Sequence, residues 1–395
     1  MKVALVHYTA PPVAGGVEAV LGAHARLLGE RGHDVRVIAG RGDATLVPEV
    51  DSRHPDVERL YLGLGRAEFD EALFNGLRNH LAAELAPLLA DSEVVVAHNV
   101  LTMPFNLPLA AALSAAGKPL IAWTHDLAFI NPRYRDWQHS GFPYSLMRIA
   151  QPGVRYVAVS RERATEIEQL LEVAAEAVPN GIDSDQLTGI GAHARALLER
   201  AGVSAADPLV LVPLRITRRK RLELALAAAA ELLPSEPRLA LVVTGPLGAH
   251  SADNRDYAAS LLEQRAQLAL DGVVAFLFEL AGEGPHPVSD QDMTALYRAA
   301  DVVLLPSESE GFGLPVLEAA LVRAPMVCAD LPVLREVGRS LHLFPAAGGA
   351  SDVATALRAA LAEPHVAERR RVRAEHDWRA VAPRLEALLA EVAHA

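Results

Sequence analysis

Residues 307–318 read SESEGFGLPVLE, and they decide how the rest of the sequence is interpreted. They follow the apolar run DVVLLP at residues 301–306, which predicts a buried strand because it is branched and unbroken. Pro315 then opens a predicted helix over residues 316–322, since proline is tolerated in a first helical turn. A strand, a tight glycine loop and a helix N-terminus together predict a place that binds phosphate, because unpaired N–H groups and the helix dipole favour an anion.

Two of the carboxylates in this stretch, Glu310 and Glu318, are eight positions apart. Negative side chains are out of place beside a phosphate site unless they bind hydroxyl groups. A ligand that carries both phosphates and sugar hydroxyls satisfies both observations. The stretch therefore predicts a site for such a ligand.

The composition indicates a soluble globular protein that is large enough for two domains. The chain has 395 residues, of which 51% are hydrophobic and 22% charged. Lys+Arg 37 against Asp+Glu 49 gives a net charge of −12. This balance argues against nucleic-acid binding, which needs a dominant basic face.

The single cysteine and the short apolar runs predict where the protein works. Cys328 excludes an internal disulfide and fits a reducing compartment, and its apolar surroundings at residues 325–329 predict an inert core thiol. The apolar start at residues 1–6 is too short for a signal peptide, and later runs do not reach membrane length. We expect a cytoplasmic protein without stable membrane insertion.

Strand-like and helix-like segments alternate through both halves of the chain. Runs such as residues 3–8, 93–97 and 119–123 predict buried strands. We also predict a strand over residues 57–62 and a long helix over residues 69–89. This alternation predicts an α/β fold of two Rossmann-like domains, each with a doubly wound parallel sheet, facing across a cleft.

A run of glycines and an Asp-Pro pair at residues 184–207 mark the expected domain boundary. The predicted domains are therefore residues 1–185 and 186–374. We expect the helix at residues 375–395 to pack back on the first domain.

Gly15 and Gly16 follow the first predicted strand and precede a predicted helix at residues 19–30. A glycine pair lets backbone amides approach a ligand closely. The dinucleotide-binding glycine spacing is absent, so a plain strand-to-helix turn remains an alternative.

Two histidines, His98 and His125, stand at the ends of predicted strands, where ligands of open α/β sheets bind. A lone histidine is more often an ordinary core or loop residue. The flanking Thr124 and Asp126 favour a functional role for His125 over one for His98.

Residues 127–146 form the least regular part of the first half, and they are rich in donors and aromatic rings. Long irregular loops in compact domains tend to be functional or mobile. We predict a lid on one side of the site; the alternative is that the segment only packs. Its candidate binding residues are Arg133, Tyr134, Arg135, Trp137 and His139.

Residues 215–221, RITRRKR, concentrate cations directly after a predicted strand at residues 209–214. Arginine grips two phosphate oxygens and lysine acts as a point charge, so this run predicts that a diphosphate is neutralised here. A solvated charge run is the alternative.

Together these motifs resemble retaining glycosyltransferases of the GT-B fold, family 4, which use nucleotide-sugars without a metal. Residues 310–318 match that family's two glutamates separated by seven residues, with Gly-Phe-Gly between them. Arg215 and Lys220 match its Arg-x4-Lys pair, residues 15–16 its glycine loop, and residues 124–126 its histidine site. Its interdomain turn is matched by residues 180–183, and the resemblance spans nearly the whole chain.

The resemblance implies an acceptor-binding first domain and a donor-binding second domain. Glu318 would bind ribose hydroxyls and Glu310 the sugar and diphosphate. Arg215 and Lys220 would stabilise the leaving diphosphate, and His125 would contact the transferred sugar. The expected donor-binding positions besides Glu318 are Gly15, Gly16, Asn180, Gly245, Phe312, Gly313 and Leu314.

In this family, retention is ascribed to same-face attack, with the departing phosphate taking the proton of the acceptor. That differs from glycoside hydrolysis by two carboxylates, so Glu310 and Glu318 are not expected to be an acid/base pair. Leu214 and Arg221 stand where family members often have glycine. Which cation of residues 218–221 reaches the diphosphate besides Lys220 therefore stays open.

The acceptor is expected to be a small soluble molecule. Residues 66–93 carry more acidic than basic side chains, so anionic headgroups would repel this face. Arg133, Arg135 and His139 favour an anionic acceptor, and the run NPRYRD at residues 131–136 is similar to enzymes that mannosylate small sugar acids.

The expected donor is GDP-mannose or UDP-glucose, with GDP-mannose preferred, and no cofactor or metal is expected. Two alternatives remain open: a nucleotide-sugar epimerase of the same architecture, and a non-catalytic nucleotide-sugar sensor. The oligomeric state is not predicted.

Overall fold

The computed structural model describes residues 1–246, 252–280 and 288–394. The chain divides into two compact units. The N-terminal unit comprises Met1–Ile182 and Glu375–Ala395, and the C-terminal unit comprises Asp183–Ala374.

The N-terminal unit is built on a seven-stranded sheet in the order β3-β2-β1-β4-β5-β6-β7, with every neighbouring pair parallel. Its central strands are buried on both faces, as the continuous apolar runs predict. The strands are β1 (Lys2–Val6), β2 (Asp34–Ala39), β3 (Thr45–Leu46), β4 (Val94–His98), β5 (Leu120–Thr124), β6 (Val154–Ala158) and β7 (Ala175–Ala177).

Helices cover both faces of this sheet and divide its core into two apolar clusters. The helices that precede the C-terminal unit are α1 (Gly16–Glu30), α2 (Pro55–Leu64), α3 (Glu71–Leu89), α4 (Leu107–Ser114) and α5 (Arg161–Leu171).

Helix α2 occupies the position of the strand predicted at residues 57–62, so that prediction was wrong. The buried residues of α2 are Val57, Leu60 and Leu64, whose spacing of three and four is helical. Pro55 lies in its first turn, where proline is tolerated.

The strands described in the C-terminal unit form a six-stranded parallel sheet in the order β10-β9-β8-β11-β12-β13. They are β8 (Leu209–Val212), β9 (Ala240–Val243), β10 (Val274–Phe276), β11 (Val302–Leu305), β12 (Met326–Ala329) and β13 (Leu341–Phe344).

The helices of this unit include two, α6 and α7, in the segment that the sequence marks as a boundary, and a short one, α12, that it does not predict. In order they are α6 (Ser184–Thr188), α7 (Ala192–Arg200), α8 (Leu222–Leu232), α9 (Ala252–Gln267), α10 (Asp290–Ala299), α11 (Leu314–Leu321), α12 (Pro332–Val337), α13 (Ala350–Leu361) and α14 (Pro364–His376).

Arginines of helix α14 bind a buried carboxylate at the amino end of this sheet. Asp301, fully buried before β11, accepts hydrogen bonds from Arg373 at 2.6 Å and Arg369 at 2.9 Å. It also accepts the N–H of Leu209 at the start of β8, at 2.9 Å. Two neighbouring strands are thereby fixed by one paired carboxylate.

The last helix, α15 (Trp378–His394), belongs to the N-terminal unit, where its apolar face joins the cluster around β1 and α1. The two chain segments that connect the units lie side by side. Ile182 donates its N–H to the carbonyl of His376 at 2.7 Å, and Trp378 donates to the carbonyl of Ile182 at 3.0 Å. Among the described residues, no helix is both long and apolar enough to span a bilayer.

Candidate active site

Three sequence motifs of the C-terminal unit come together at one edge of its sheet. Strand β8 lies between β9 and β11, and all three are parallel. The cation run at residues 215–221, Gly245 and the loop at residues 306–313 each follow the carboxyl end of one of these strands. This is the edge at which open α/β sheets bind ligands.

Lys220 and Glu310 form the central pair of this edge. The Lys220 ammonium donates to Oε1 of Glu310 at 2.5 Å, and the side chains are only 8% and 9% exposed. Burial lowers the pKa of Lys220, and the neighbouring carboxylate opposes that shift. The two loops are also joined through their backbones, since Glu308 donates its N–H to the carbonyl of Arg219 at 2.9 Å.

The other cations of the run have different surroundings. Arg221, with φ of 49°, donates to two carbonyl oxygens of residues 346–348, at 2.8 and 3.0 Å, so it holds the loop after β13. The Arg218 guanidinium lies 5.2 Å from the ring centroid of Tyr257. Arg215 is exposed and has no hydrogen-bond or ion-pair partner in the part of the chain that the structure describes.

Gly245 permits a close approach between the loops after β9 and β8. A Cβ atom on Gly245 would lie 2.0 Å from the carbonyl oxygen of Leu214 and 2.6 Å from the Cα of Arg215. Any larger residue would displace backbone, so glycine is required here.

The glycine loop after β11 turns sharply into helix α11. Gly313 has φ of 97°, and a Cβ there would lie 2.5 Å from a methyl group of Leu334. The helix begins at Leu314, two residues before the predicted start, with Pro315 in its first turn. Phe312 and Leu314 are 53% and 60% exposed, so the backbone that opens the helix lies at the surface of the unit.

Glu318 lies on the exposed side of α11 and has a partner that the sequence did not predict. The hydroxyl of Tyr297, on α10, donates to Oε2 of Glu318 at 2.5 Å. Burial and the adjacent carboxylate raise the pKa of Tyr297. Tyr297 belongs to no motif, and only the packing of α10 beside α11 identifies it.

The corresponding edge of the N-terminal unit carries imidazole rings. His7 follows β1, His98 ends β4 and His125 follows β5, three neighbouring strands, and His24 of α1 joins them. The His98 ring centroid lies 5.2 Å from that of His24 and 5.7 Å from that of His125. Burial lowers the pKa of His24 to about 3 and that of His125 to about 4, so both are neutral at pH 7.

His125 is held by its two neighbours at the end of β4. The side-chain oxygen of Asn99 accepts the backbone N–H groups of His125 and Asp126, each at 3.0 Å. Nδ1 of His98 lies 3.4 Å from Nε2 of His125. The sequence pointed to His125 but gave no signal for Asn99 beyond its place at a strand end.

The predicted glycine loop of this unit faces a carboxylate. Helix α1 begins at Gly16, and a Cβ on Gly15 would lie 2.0 Å from Oε2 of Glu18. The hydroxyl of Thr9 donates to the other oxygen of Glu18 at 2.5 Å. The room above Gly15 is therefore filled by the side chain of Glu18.

Asn180 lies just before the segment that connects the two units. Its side-chain oxygen is buried and has no hydrogen-bond partner among residues 1–246, 252–280 and 288–394. A Cβ on the next residue, Gly181, would lie 2.5 Å from the indole ring of Trp378, so glycine lets this turn pack against α15.

In the segment predicted as a lid, the rings of Trp137 and Tyr134 are packed, whereas three basic side chains are exposed. Trp137 stacks on Tyr61 of α2 with ring centroids 4.5 Å apart, and its indole N–H donates to the Tyr61 carbonyl at 2.9 Å. Tyr134 is only 9% exposed and belongs to the apolar cluster against which Trp137 packs. The remaining three predicted acceptor-binding residues are exposed: Arg133, Arg135 and His139.

The cysteine and the potential metal ligands are the remaining groups of chemical interest. Cys328 is buried in β12, and burial raises the pKa of its thiol to about 12, as expected of an unreactive core residue. Within the described ranges, no group of three or more His, Cys, Asp or Glu side chains is arranged to hold a metal ion.

Family models match nearly the whole chain. Residues 14–186 match the model described as "Glycosyltransferase Family 4", and residues 197–377 match that described as "Glycosyl transferases group 1". With the two parallel sheets, these matches define a glycosyltransferase of the GT-B fold. The chain belongs to the family 4 type of these enzymes, which confirms the resemblance seen in its motifs.

Individual proteins that resemble this chain have low sequence identity to it. Mannosylglucosylglycerate synthase of Thermotoga maritima is 26% identical over 364 residues, 85% of this chain and 82% of that protein. D-inositol 3-phosphate glycosyltransferase of Saccharomonospora viridis is 34% identical over 191 residues, 45% of this chain and 41% of that protein, so that match spans less than half of the relative. The structure of sucrose-phosphate synthase from Thermosynechococcus elongatus aligns over 99% of both chains with 18% identity and a TM-score of 0.39, too low for a functional comparison.

Proposed function

We propose that this glycosyltransferase moves a hexose from a nucleotide-diphosphate sugar to a small, soluble, anionic acceptor, with retention and without a metal. The observation that carries the proposal is the Lys220–Glu310 pair at the carboxyl edge of β8 and β11, with Arg215 on the same loop. A cation and a carboxylate at one point suit a ligand that combines phosphate with sugar hydroxyls.

The cations act on the leaving group. Negative charge builds on the diphosphate as the bond to the sugar breaks, and preorganised cations lower the energy of that state. Lys220 is nearly buried, so its charge is screened less than that of a surface lysine. Phosphate oxygens replace Glu310 as the partner of Lys220, which leaves the carboxylate to accept hydrogen bonds from the sugar.

The backbone around the cations completes the donor site. The amides of residues 312–314 open helix α11 and favour an anion there. Gly245 keeps the neighbouring loop close to Arg215. Glu318, oriented by Tyr297, accepts the ribose hydroxyls.

The family resemblance implies same-face attack rather than a carboxylate nucleophile. Glu318, which accepts from Tyr297, is assigned to the ribose, and Glu310 is assigned to sugar hydroxyls once phosphate replaces it as the partner of Lys220. This differs from the two reacting carboxylates of retaining glycosidases. The departing phosphate then takes the proton of the acceptor, and His125 contacts the sugar, as the family resemblance implies.

The exposed basic side chains of the 127–146 segment support an anionic acceptor. Arg133, Arg135 and His139 remain at the surface while the neighbouring aromatic rings are packed. The names of both relatives contain an anionic group, a glycerate in one and a phosphate in the other. A sugar acid is therefore the preferred acceptor, and the mannosyl group in the first name supports GDP-mannose over UDP-glucose as the donor. A free, buried cysteine suits the reducing cytoplasm.

A ligand panel tests the donor. The melting temperature is measured with GDP, UDP and ADP and with their mannose and glucose conjugates. A donor at a hundred times its dissociation constant should stabilise the fold by about 2.7 kcal/mol. Glu318→Gln should weaken this effect, whereas Glu308→Gln, on an exposed neighbour, should leave it unchanged.

Product analysis tests the reaction. The stabilising donor is incubated with and without glycerate and glucosylglycerate, and the anomeric configuration of the product is read by NMR. An α-linked product from an α-linked donor supports the proposal. Conversion of the donor without any acceptor would identify an epimerase, and binding without turnover on any acceptor would identify a sensor.

A further inference from the structure

We infer that His98 and Asn99 are positioning residues that fix His125 as a neutral imidazole with its proton on Nδ1. Through that N–H, His125 donates a hydrogen bond to an oxygen of the sugar. The identity of the partner rests on the proposed function, whereas the tautomer is a property of the protein alone.

Asn99 fixes the backbone of His125. It adopts φ of 57°, a left-handed conformation that asparagine tolerates better than most residues. Its own N–H donates to the carbonyl of Trp123 at 2.8 Å, and its side-chain oxygen accepts the N–H groups of His125 and Asp126. These bonds leave the start of the segment after β5 with one orientation.

His98 fixes the ring. Its Nδ1 and the Nε2 of His125 are 3.4 Å apart. Burial and the neighbouring histidines hold the pKa of His98 well below its usual value, and burial lowers that of His125 to about 4. One proton therefore lies between the two nitrogens, carried by either His98 or His125.

The surroundings of His98 decide which ring carries that proton. Nε2 of His98 is buried and has no partner among the residues that the structure describes. A proton on Nε2 would create a buried donor without an acceptor, which is unfavourable because the lost hydration is not replaced. Buried donors without partners are rarer than acceptors, and the indole N–H of Trp123 is already one such donor here. His98 therefore carries its proton on Nδ1 and donates it to His125.

The consequence concerns the free side of His125. Because Nε2 accepts from His98, a neutral His125 carries its own proton on Nδ1. That atom is not among the buried polar atoms, and no described residue is its partner. His125 thus presents a donor and no lone pair to a ligand. It cannot take the proton of an acceptor hydroxyl, which leaves that role to the departing phosphate.

NMR on protein labelled with ¹⁵N-histidine tests the tautomer directly, with His125→Gln assigning the signal. We expect His125 in the wild type to show the Nδ1–H form. His98→Phe keeps a ring but removes the donor, so the Nε2–H form should gain population. His98→Gln supplies an amide donor and should restore the Nδ1–H form. An Nε2–H tautomer in the wild type would overturn the inference without any appeal to activity.

Kinetics separates positioning from a structural role. With the donor found by the panel, His98→Phe should lower kcat by about tenfold, the value of one hydrogen bond, with little change in the KM of the donor. His98→Gln and Asn99→Asp, which keep the donor and the acceptor oxygen, should recover most of kcat, while Asn99→Ala should not. Equal losses in His98→Phe and His98→Gln, with the His125 signal unchanged, would show a packing role and refute the inference.

A titration distinguishes failure of the inference from failure of the proposed function. GDP-mannose and UDP-glucose are added to the labelled wild type, and the Nδ1 signal of His125 is followed. A shift with one of them supports both. An Nδ1–H tautomer that neither sugar nucleotide perturbs would leave the positioning intact and remove His125 from the proposed donor site.

Discussion

The carboxyl edges of the two sheets carry different chemistry on the same parallel arrangement. In the C-terminal unit, Lys220 is nearly buried beside a carboxylate, which opposes the loss of its charge. In the N-terminal unit, His24, His98 and His125 cluster with one another and with Trp123, and burial lowers their pKa values. Lysine also starts from a higher intrinsic pKa than histidine, so the two edges differ both in the type of titratable group and in whether a carboxylate is its partner.

Substitution of Lys220, at the carboxyl edge of the C-terminal sheet, should give the largest effect on stability and turnover. Lys220→Met leaves Glu310 almost buried without its cation, so the free energy of unfolding should fall by about 3 kcal/mol. Turnover should fall by about 10²- to 10³-fold, since a preorganised charge is lost. Urea unfolding and kcat measure the two effects.

A double variant separates those two effects. Lys220→Met combined with Glu310→Leu removes both charges, so stability should recover while turnover does not. Arg339→Ala, an exposed arginine outside the cation run, is the control. Wild-type turnover in Lys220→Met would contradict the role of the pair.

Substitution of Gly245, where the loops after β8 and β9 approach each other, should give the next largest effect. In Gly245→Ala the new methyl group meets the Leu214 carbonyl, so we expect a loss of about 2 to 3 kcal/mol and weaker donor binding. In Gly311→Ala, no described atom lies within 4 Å of the added Cβ, and stability should hardly change. Similar melting temperatures for both variants would show that the loops adjust freely.

The buried histidines at the carboxyl edge of the N-terminal sheet should make the free energy of unfolding depend on pH. The folded pKa of His24 is about 3, so between that value and 6.5 the unfolded chain binds the additional proton. Stability is therefore present at neutral pH and is lost as the pH falls below 6.5, by about 2 kcal/mol for this residue between pH 7 and pH 5. His24→Phe should reduce the loss by that amount in urea unfolding at the two pH values, and an equal loss in the wild type and the variant would contradict the prediction.

The exposed cations of the N-terminal unit should give the smallest effect on stability. Arg135→Ala should change the free energy of unfolding by less than about 0.5 kcal/mol, because the side chain is at the surface. If the acceptor is anionic, its KM should rise severalfold. Asp136→Asn, next in the chain, should lower that KM, and a rise in both variants would argue against charge recognition.

Much of both edges could be predicted because the signals are local. Buried parallel strands read as continuous apolar runs, and the residues that follow them are placed at the sheet edge by the strands. Helix α2 was missed because a short apolar segment fits either periodicity, and α12 because it has six residues.

The partners of the predicted residues could not be obtained in the same way. Tyr297 meets Glu318 only because α10 packs beside α11, and Asn99 meets His125 only because β4 pairs with β5. The packing of Trp137 depends on α2, which the sequence placed in a different class. Each depends on contacts between elements that are separate in the chain, which a single sequence does not specify.

The pairing of Ile182 with the segment before α15 has a consequence for synthesis on the ribosome. The helix that completes the N-terminal core is translated after residues 183–374, which form a contiguous stretch. We expect the second unit to mature while the first still waits for α15, an order opposite to that of translation. Limited proteolysis of stalled nascent chains should show residues 183–374 protected first, and earlier protection of residues 1–182 would contradict this order.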